Sequence, residues 1–283
     1  MAIKFEKVGY TYGRETAFSS LGLNDINTVI EKNTFNSVIG HTGSGKTTLL
    51  QALDGLIKIT TGTISLKNMV INVNSDEKKL FILRKHIGLV FQFSENQLFA
   101  DTVLKDVMFG PINFGISVDK AKQLAEKWLR FVGIGSELFD KSPFDLSGGQ
   151  MKRVAIAGVL AFEPDILCLD EPVSSLDPQG RKLIMQLFKK YQQDGHTVIL
   201  VSHNMDEVYH YSDNIIVMEN GTIIKQGSPR KIFEDKNWLD KHKLVRPSIL
   251  KFIDDLEKVG FKVTKTNDLS NLLGEILQQI GVK

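Results

Sequence analysis

The chain has 283 residues, 42% of them hydrophobic and 24% charged, which fits one large globular domain or one domain with a small appendage. Its 35 Lys and Arg stand against 33 Asp and Glu, and a net charge of +2 argues against the broad basic face that a nucleic-acid partner requires. A single cysteine, Cys168, rules out a disulfide framework within the chain and speaks against a cysteine-built zinc site.

The N-terminus, Met1-Ala2-Ile3-Lys4-Phe5-Glu6-Lys7, alternates apolar and charged residues as a strand does and lacks the apolar run of a signal peptide. Strands are predicted at 3–8 and around 24–40, where Val29, Ile30, Val38 and Ile39 supply β-branched residues. Helical spacing begins near Lys46 and stops at Gly55. Two short strands follow, at 63–66 and 70–73, then a compact buried one at 87–91. From about 95 to 160 the pattern is helical, with Val103, Val107 and Met108 and then Leu124, Trp128, Leu129 and Val132 at three- and four-residue spacing. Apolar strands at 165–169, 197–202 and 213–218 alternate with helical stretches, which implies a mostly parallel sheet covered on both faces. Cys168 falls inside one of these runs as a small buried hydrophobe. After about residue 227 the chain turns more polar, with amphipathic helices predicted at 247–259 and 268–280. No stretch approaches the ~18 apolar residues of a spanning helix, and a chain of this kind serves a membrane only by docking to something else.

Chemistry enters with Gly40-His41-Thr42-Gly43-Ser44-Gly45-Lys46-Thr47-Thr48, which follows a strand and opens a helix, the context that a phosphate-binding loop needs. Glycines let backbone N–H groups turn toward one centre, and the helix N-terminus adds partial positive charge there. Lys46 brings a full charge for the β- and γ-phosphates, and Thr47 a hydroxyl for Mg²⁺. A small-molecule kinase, a GTPase and an ATPase of another kind all use such a loop. The guanine-reading Asn-Lys-x-Asp of a GTPase is missing from the sequence, and Asp177-Pro178-Gln179-Gly180 is too short a match to a switch motif to carry weight.

Far downstream lies Leu146-Ser147-Gly148-Gly149-Gln150, followed by a helical run, and then the apolar strand Ile166-Leu167-Cys168-Leu169 ending in Asp170-Glu171. By these motifs the chain resembles the ABC ATPase family over roughly residues 2–227. The resemblance implies an α/β fold of the P-loop NTPase, RecA-like type. It comprises a mixed, mostly parallel sheet, an antiparallel β subdomain, an α-helical signature subdomain at about 95–160, and a small C-terminal domain at 228–283 after an ATPase domain at 1–227. It implies that Asp170 helps to hold Mg²⁺, with Thr47 and Gln92 as further metal-sensing positions, and that Glu171 polarises the attacking water. His203, after Val198-Ile199-Leu200-Val201-Ser202, matches the histidine that contacts the γ-phosphate, and Tyr12 sits where an aromatic ring lies under adenine. Ser175-Leu176-Asp177 matches a loop that crosses a dimer interface, although Val173-Ser174-Ser175 departs from the usual residues there. Ser147, Gly148, Gly149 and Gln150 correspond to the signature that binds ATP held by the opposite protomer.

An ABC ATPase acting on DNA splits its head with a long coiled coil, and one acting on ribosomes carries two such domains; neither pattern is found here. No nucleic-acid partner is expected. The stretch Val90-Phe91-Gln92-Phe93-Ser94-Glu95-Asn96-Gln97-Leu98-Phe99, with Phe109-Gly110-Pro111 and Phe114-Gly115, is similar to energy-coupling-factor transporter ATPases, in particular the second of two paralogous subunits. That resemblance implies a motor at the cytoplasmic face of the membrane, paired with a paralogous ATPase as a heterodimer. Its further partners are a transmembrane coupling subunit and a substrate-binding membrane subunit, which together take up a vitamin or metal ion. The groove around 93–99 is then expected to receive a coupling helix, with Glu95 and Asp101 pairing with its arginines. The motor of a classical ABC importer is the alternative.

Overall fold

A computed structural model describes residues 3–14, 19–174, 176–264, 266 and 269–280. Two sheets organise it. The smaller is antiparallel, in the order β2-β1-β4-β5, built from β1 (Ile3–Tyr12), β2 (Ser20–Ile30), β4 (Thr61–Leu66) and β5 (Met69–Asn72). The larger sheet has the order β10-β9-β3-β8-β7-β6 and comprises β3 (Phe35–Ile39), β6 (Ile87–Val90), β7 (Ile166–Asp170), β8 (Thr197–Val201), β9 (Asn214–Glu219) and β10 (Thr222–Gly227). Its neighbours pair in parallel except for β10, which closes one edge as a hairpin with β9.

Every residue of β3, β7 and β8 is buried, as expected for central strands covered on both faces. The strand period of two sorts their side chains. Leu167 and Leu169 join Phe35, Val90, Val198 and Leu200 in a core with the helices α3 (Val103–Asn113), α4 (Val118–Phe131), α5 (Gly148–Leu160) and α6 (Pro178–Gln193). Ile166 and Cys168 face the other way, with Val38, Ile199, Val201 and Ile216, onto α1 (Lys46–Asp54) and the small sheet. Burying one such aliphatic side chain contributes about 1.5–3 kcal/mol, so the sheet is a rigid platform whose strand ends are held in place. Cys168 is a fully buried free thiol, and its surroundings push its pKa far above the ordinary range by desolvation.

Helix α1 ends where Gly55, at φ 69°, caps it in a left-handed conformation. Asp54, its last residue, is buried, and desolvation raises its carboxyl to about pKa 7 against the opposing pull of Arg84. Arg84 belongs to α2 (Glu77–Arg84) and donates to the Gly55 carbonyl at 2.7 Å. Beyond the large sheet come α7 (Met205–Tyr211), α8 (Pro229–Phe233), α9 (Lys236–Lys241), α10 (Ser248–Lys258) and α11 (Leu269–Gln279). Ile232, Phe233, Leu239, Leu250, Ile253 and Leu272 of this C-terminal segment share a core with Ile39, Val208, Ile215 and Val217. Among the described residues no helix is long and apolar enough to cross a membrane.

The predicted elements correspond to the observed ones with small shifts, and β1 runs on to Tyr12. Helix α2 and strand β10, and with them the short helices α8 and α9, lie outside the expectation. The first is short and its residues Phe81 and Ile82 are exposed, so it lacks a clean apolar stripe; the second is half-buried along its length, with no alternation to read.

Candidate nucleotide site

The phosphate loop is the link between β3 and α1. Gly40, Gly43 and Gly45 have φ of 149°, 80° and 101°, values that side chains resist. At two of the three, space forbids a side chain too: a Cβ on Gly40 would meet the Met218 carbonyl at 2.1 Å, and one on Gly45 the Gly22 carbonyl at 2.7 Å. The loop is braced from outside as well. The N–H of Gly221, in the turn between β9 and β10, donates to the Ser44 carbonyl at 3.0 Å. Within the loop, Lys46 Nζ donates to the carbonyls of Gly40 (2.9 Å) and His41 (2.7 Å). Burial lowers the pKa of Lys46, opposed by the nearby carboxylates of Glu171 and Asp170.

At the tip of β7, Asp170 Oδ2 accepts from the Thr47 hydroxyl at 2.7 Å. Burial raises the Asp170 pKa, with Thr47, Lys46 and His203 pulling it back. Glu171 sits at φ 48°, a left-handed conformation rare outside glycine, and its N–H donates to the Val201 carbonyl at 3.0 Å. Two side chains converge on its carboxylate: Gln92 Nε2 donates to Oε2 at 3.2 Å, and His203 Nε2 lies 2.9 Å from Oε1. Gln92 follows β6, Glu171 follows β7 and His203 follows β8, so three neighbouring parallel strands deliver one cluster to the C-terminal end of the sheet.

Tyr12 lies across a cleft of about 420 Å³ lined by Ser20, Leu21, Gly22 and the phosphate loop through Thr48. Its hydroxyl pairs with Thr48 Oγ1 at 2.8 Å, and its ring meets Tyr10 edge-on at 4.7 Å. Thr48 is therefore occupied in holding Tyr12. Ser20, Leu21 and Gly22 escaped the sequence reading because β2 shows only alternation there, without a chemical motif.

The signature turn is elsewhere. Ser147 caps α5 by a reciprocal box: its Oγ accepts from Gln150 N at 3.3 Å, while Gln150 Oε1 accepts from Ser147 N at 2.9 Å. Gln150 is thereby engaged within the turn. Ser147 and Gly149 line a second cleft of about 420 Å³ with Arg153, Leu176, Asp177 and Leu183, and share no lining residue with the first. Asp177 caps α6 by accepting from Gln179 N and Gly180 N. Ser175, expected in the interface loop, lies outside the described residues.

In the groove at 93–99, Phe93 and Phe99 are exposed, and Phe99 stacks edge-on against Phe109 at 4.8 Å. Asp101 stands on the surface beside Lys105. Glu95 differs from expectation: it is largely buried, with Oε2 3.6 Å from the Lys152 ammonium.

Residues 23–174 match the ABC transporter family. The chain belongs to that family, on its energy-coupling factor branch. It is 52% identical over 265 residues to an energy-coupling factor transporter ATP-binding protein, EcfA2, of Lactobacillus johnsonii, covering 94% of this chain and 92% of the relative. The protein of the same name from Lactobacillus gasseri is 50% identical over 100% of this chain and 99% of its own. Among solved structures, CbiO1 of Clostridium perfringens, part of an ABC transporter complex, superposes with a TM-score of 0.73 at 38% identity, covering 89% of this chain and 98% of its own. A dimeric ATP-binding cassette bound to ADP and phosphate gives 0.73 at 31% identity, over 81% and 99%. The chain is thus an ATP-binding, ATP-hydrolysing member of the family, in line with its phosphate loop.

Proposed function

We propose that this chain is a motor subunit of an energy-coupling factor importer, working as one half of a nucleotide-sandwich dimer with a paralogous subunit. It docks peripherally at the cytoplasmic face on a transmembrane coupling subunit, which serves a substrate-binding membrane subunit for a vitamin or metal ion. In this reading the phosphate loop, residues 40–48, wraps the triphosphate with its N–H groups, and Tyr12 with Leu21 receives the adenine. The buried Ser44 hydroxyl has no partner of its own and suits a phosphate oxygen. Lys46 exchanges its loop carbonyls for the β- and γ-oxygens.

Thr47, Asp170 and Gln92 offer a hydroxyl, a carboxylate and an amide oxygen, the hard donors that Mg²⁺ prefers. Bound there, Mg²⁺ would offset the charge of the β- and γ-phosphates. Glu171 takes the proton of the attacking water, while Gln92 and His203 hold its carboxylate in line. The exposed N–H groups of Gly148 and Gly149 serve the γ-phosphate bound by the opposite subunit.

One observation carries the reading: the loop, the acids and their orienting partners form a single cluster, while the signature turn opens into a separate cleft that none of the described residues fills. The test is nucleotide-dependent association. ATP with Mg²⁺ is expected to drive the Glu171→Gln chain into a stable pair with its paralogue in light scattering, and EDTA to abolish it. Association unaffected by nucleotide would defeat the sandwich.

A further inference from the structure

Lys152 is fully buried, the only lysine among the described residues with no exposed side-chain surface, yet the sequence sets it beside Arg153 in a run that reads as a solvated helix face. It shares a face of α5 with Ile156 and Leu160, four and eight positions on, both of which point into the core. A buried ammonium persists only when specific groups receive it. Two of them come from the segment after β6: Nζ donates to the main-chain carbonyl of Gln92 at 2.8 Å, and Glu95 Oε2 lies 3.6 Å away. That carbonyl belongs to the residue whose side chain reaches Glu171.

We propose that Lys152 is a positioning residue that ties the signature helix to Gln92 and Glu95, so that the helix, the aromatic groove and the amide on Glu171 move together. The geometry is a short chain of direct contacts. Ser147 caps the same helix one turn before Lys152, and Glu95 lies between the exposed rings of Phe93 and Phe99 in sequence. A push on the groove reaches Glu95, then Nζ, then the Gln92 backbone. The lysine stem also fixes the distance between α5 and the strand end that carries Gln92. Lys152 touches no reacting atom; it acts through Gln92. The inference rests on the reading of Gln92 as part of the hydrolytic site.

The experiment is a double-mutant cycle between Lys152→Met and Gln92→Ala in the full-length chain, purified with the subunits it assembles with. Steady-state ATP hydrolysis gives kcat and KM, and a fluorescent ATP analogue gives nucleotide affinity. Lys152→Met is expected to lower kcat about tenfold, the scale of a lost charge-assisted hydrogen bond. Nucleotide affinity should stay within about twofold, since neither Gln92 nor Glu95 belongs to the phosphate loop. In the Gln92→Ala background the same substitution should change kcat by less than about twofold, because the route has already been cut. Lys152→Arg, which keeps the charge and a donor, should recover most of the activity.

An undiminished kcat in Lys152→Met, or an equal loss in both backgrounds, would overturn the proposal, as a purely structural lysine predicts additivity. Should Lys152→Met fail to fold in a thermal melt, Lys152→Gln goes through the same cycle with the same criteria. The underlying reading has its own control: normal turnover in Gln92→Ala alone would remove Gln92 from the hydrolytic site whatever Lys152 does.

Discussion

The phosphate loop and the signature turn are both glycine-bearing entries to a helix, and they are built by opposite means. Around the first, three glycines carry positive φ, two of them, Gly40 and Gly45, have no room for a Cβ, a lysine folds back on the loop's carbonyls, and a distant hairpin braces the outside. Around the second, no positive φ is used, a Cβ on Gly148 would meet nothing within 4 Å, and the serine box is complete by itself. One half of the chemistry is prefabricated in the interior. The other is a stable handle left facing outward. A glycine conserving space toward its own protein differs from a glycine conserving space toward something that has yet to arrive.

Substitutions separate the two. The largest effect is expected from Glu171→Gln, which keeps both neighbours but not the base: turnover should fall by about 10²–10⁴-fold with nucleotide binding retained, checked by single-turnover hydrolysis. Asp54, buried at the far end of the phosphate-loop helix, gives the next. Its carboxyl is raised to about pKa 7 in the fold, well above the ordinary range of an aspartate, so the native state holds a proton that the unfolded chain releases. Stability from this group is complete below about pH 4, declines as pH rises toward 7, and is level above it, a total of roughly 4 kcal/mol. Asp54→Asn should flatten that slope in urea titrations at pH 5 and pH 8 and make the chain more stable at the higher pH; a parallel slope in the variant would show that Asp54 is not responsible.

The direct comparison pairs Gly40→Ala with Gly148→Ala. The first should lower unfolding free energy by about 2 kcal/mol or more and weaken nucleotide binding. The second should leave the melting temperature and single-chain nucleotide affinity unaltered while reducing hydrolysis in the assembled dimer. Equal melting shifts in the two would erase the distinction. Smallest is Ser147→Ala, which removes one arm of the box and should cost about 1 kcal/mol of stability by chemical denaturation.

What could be read in advance follows the same division. Strands β7 and β8 announce themselves because burial on both faces forces apolar runs, and the acids at 170–171 are visible as the polar end of one such run. The loop at 40–47 is legible because phosphate chemistry dictates both residue type and spacing. The supports are not. Gly221 looks like any hairpin glycine until its N–H is found on the Ser44 carbonyl, and nothing in the sequence around Thr48 shows that its hydroxyl pairs with Tyr12. Glu95 and Lys152 read as surface charges because local pattern carries no sign that each meets the other inside. Such contacts join segments far apart in the chain, and periodicity reports only on near neighbours.

The sheet order has a consequence for biosynthesis. Strand β3 carries the nucleotide loop early in the chain, but it lies between β8 and β9. During translation the ribosome must pass residue 219 before both flanks of that strand exist. Until the late strands emerge, β3 stands without its flanks, and the phosphate loop it carries is among the last parts of the protein to be fully supported.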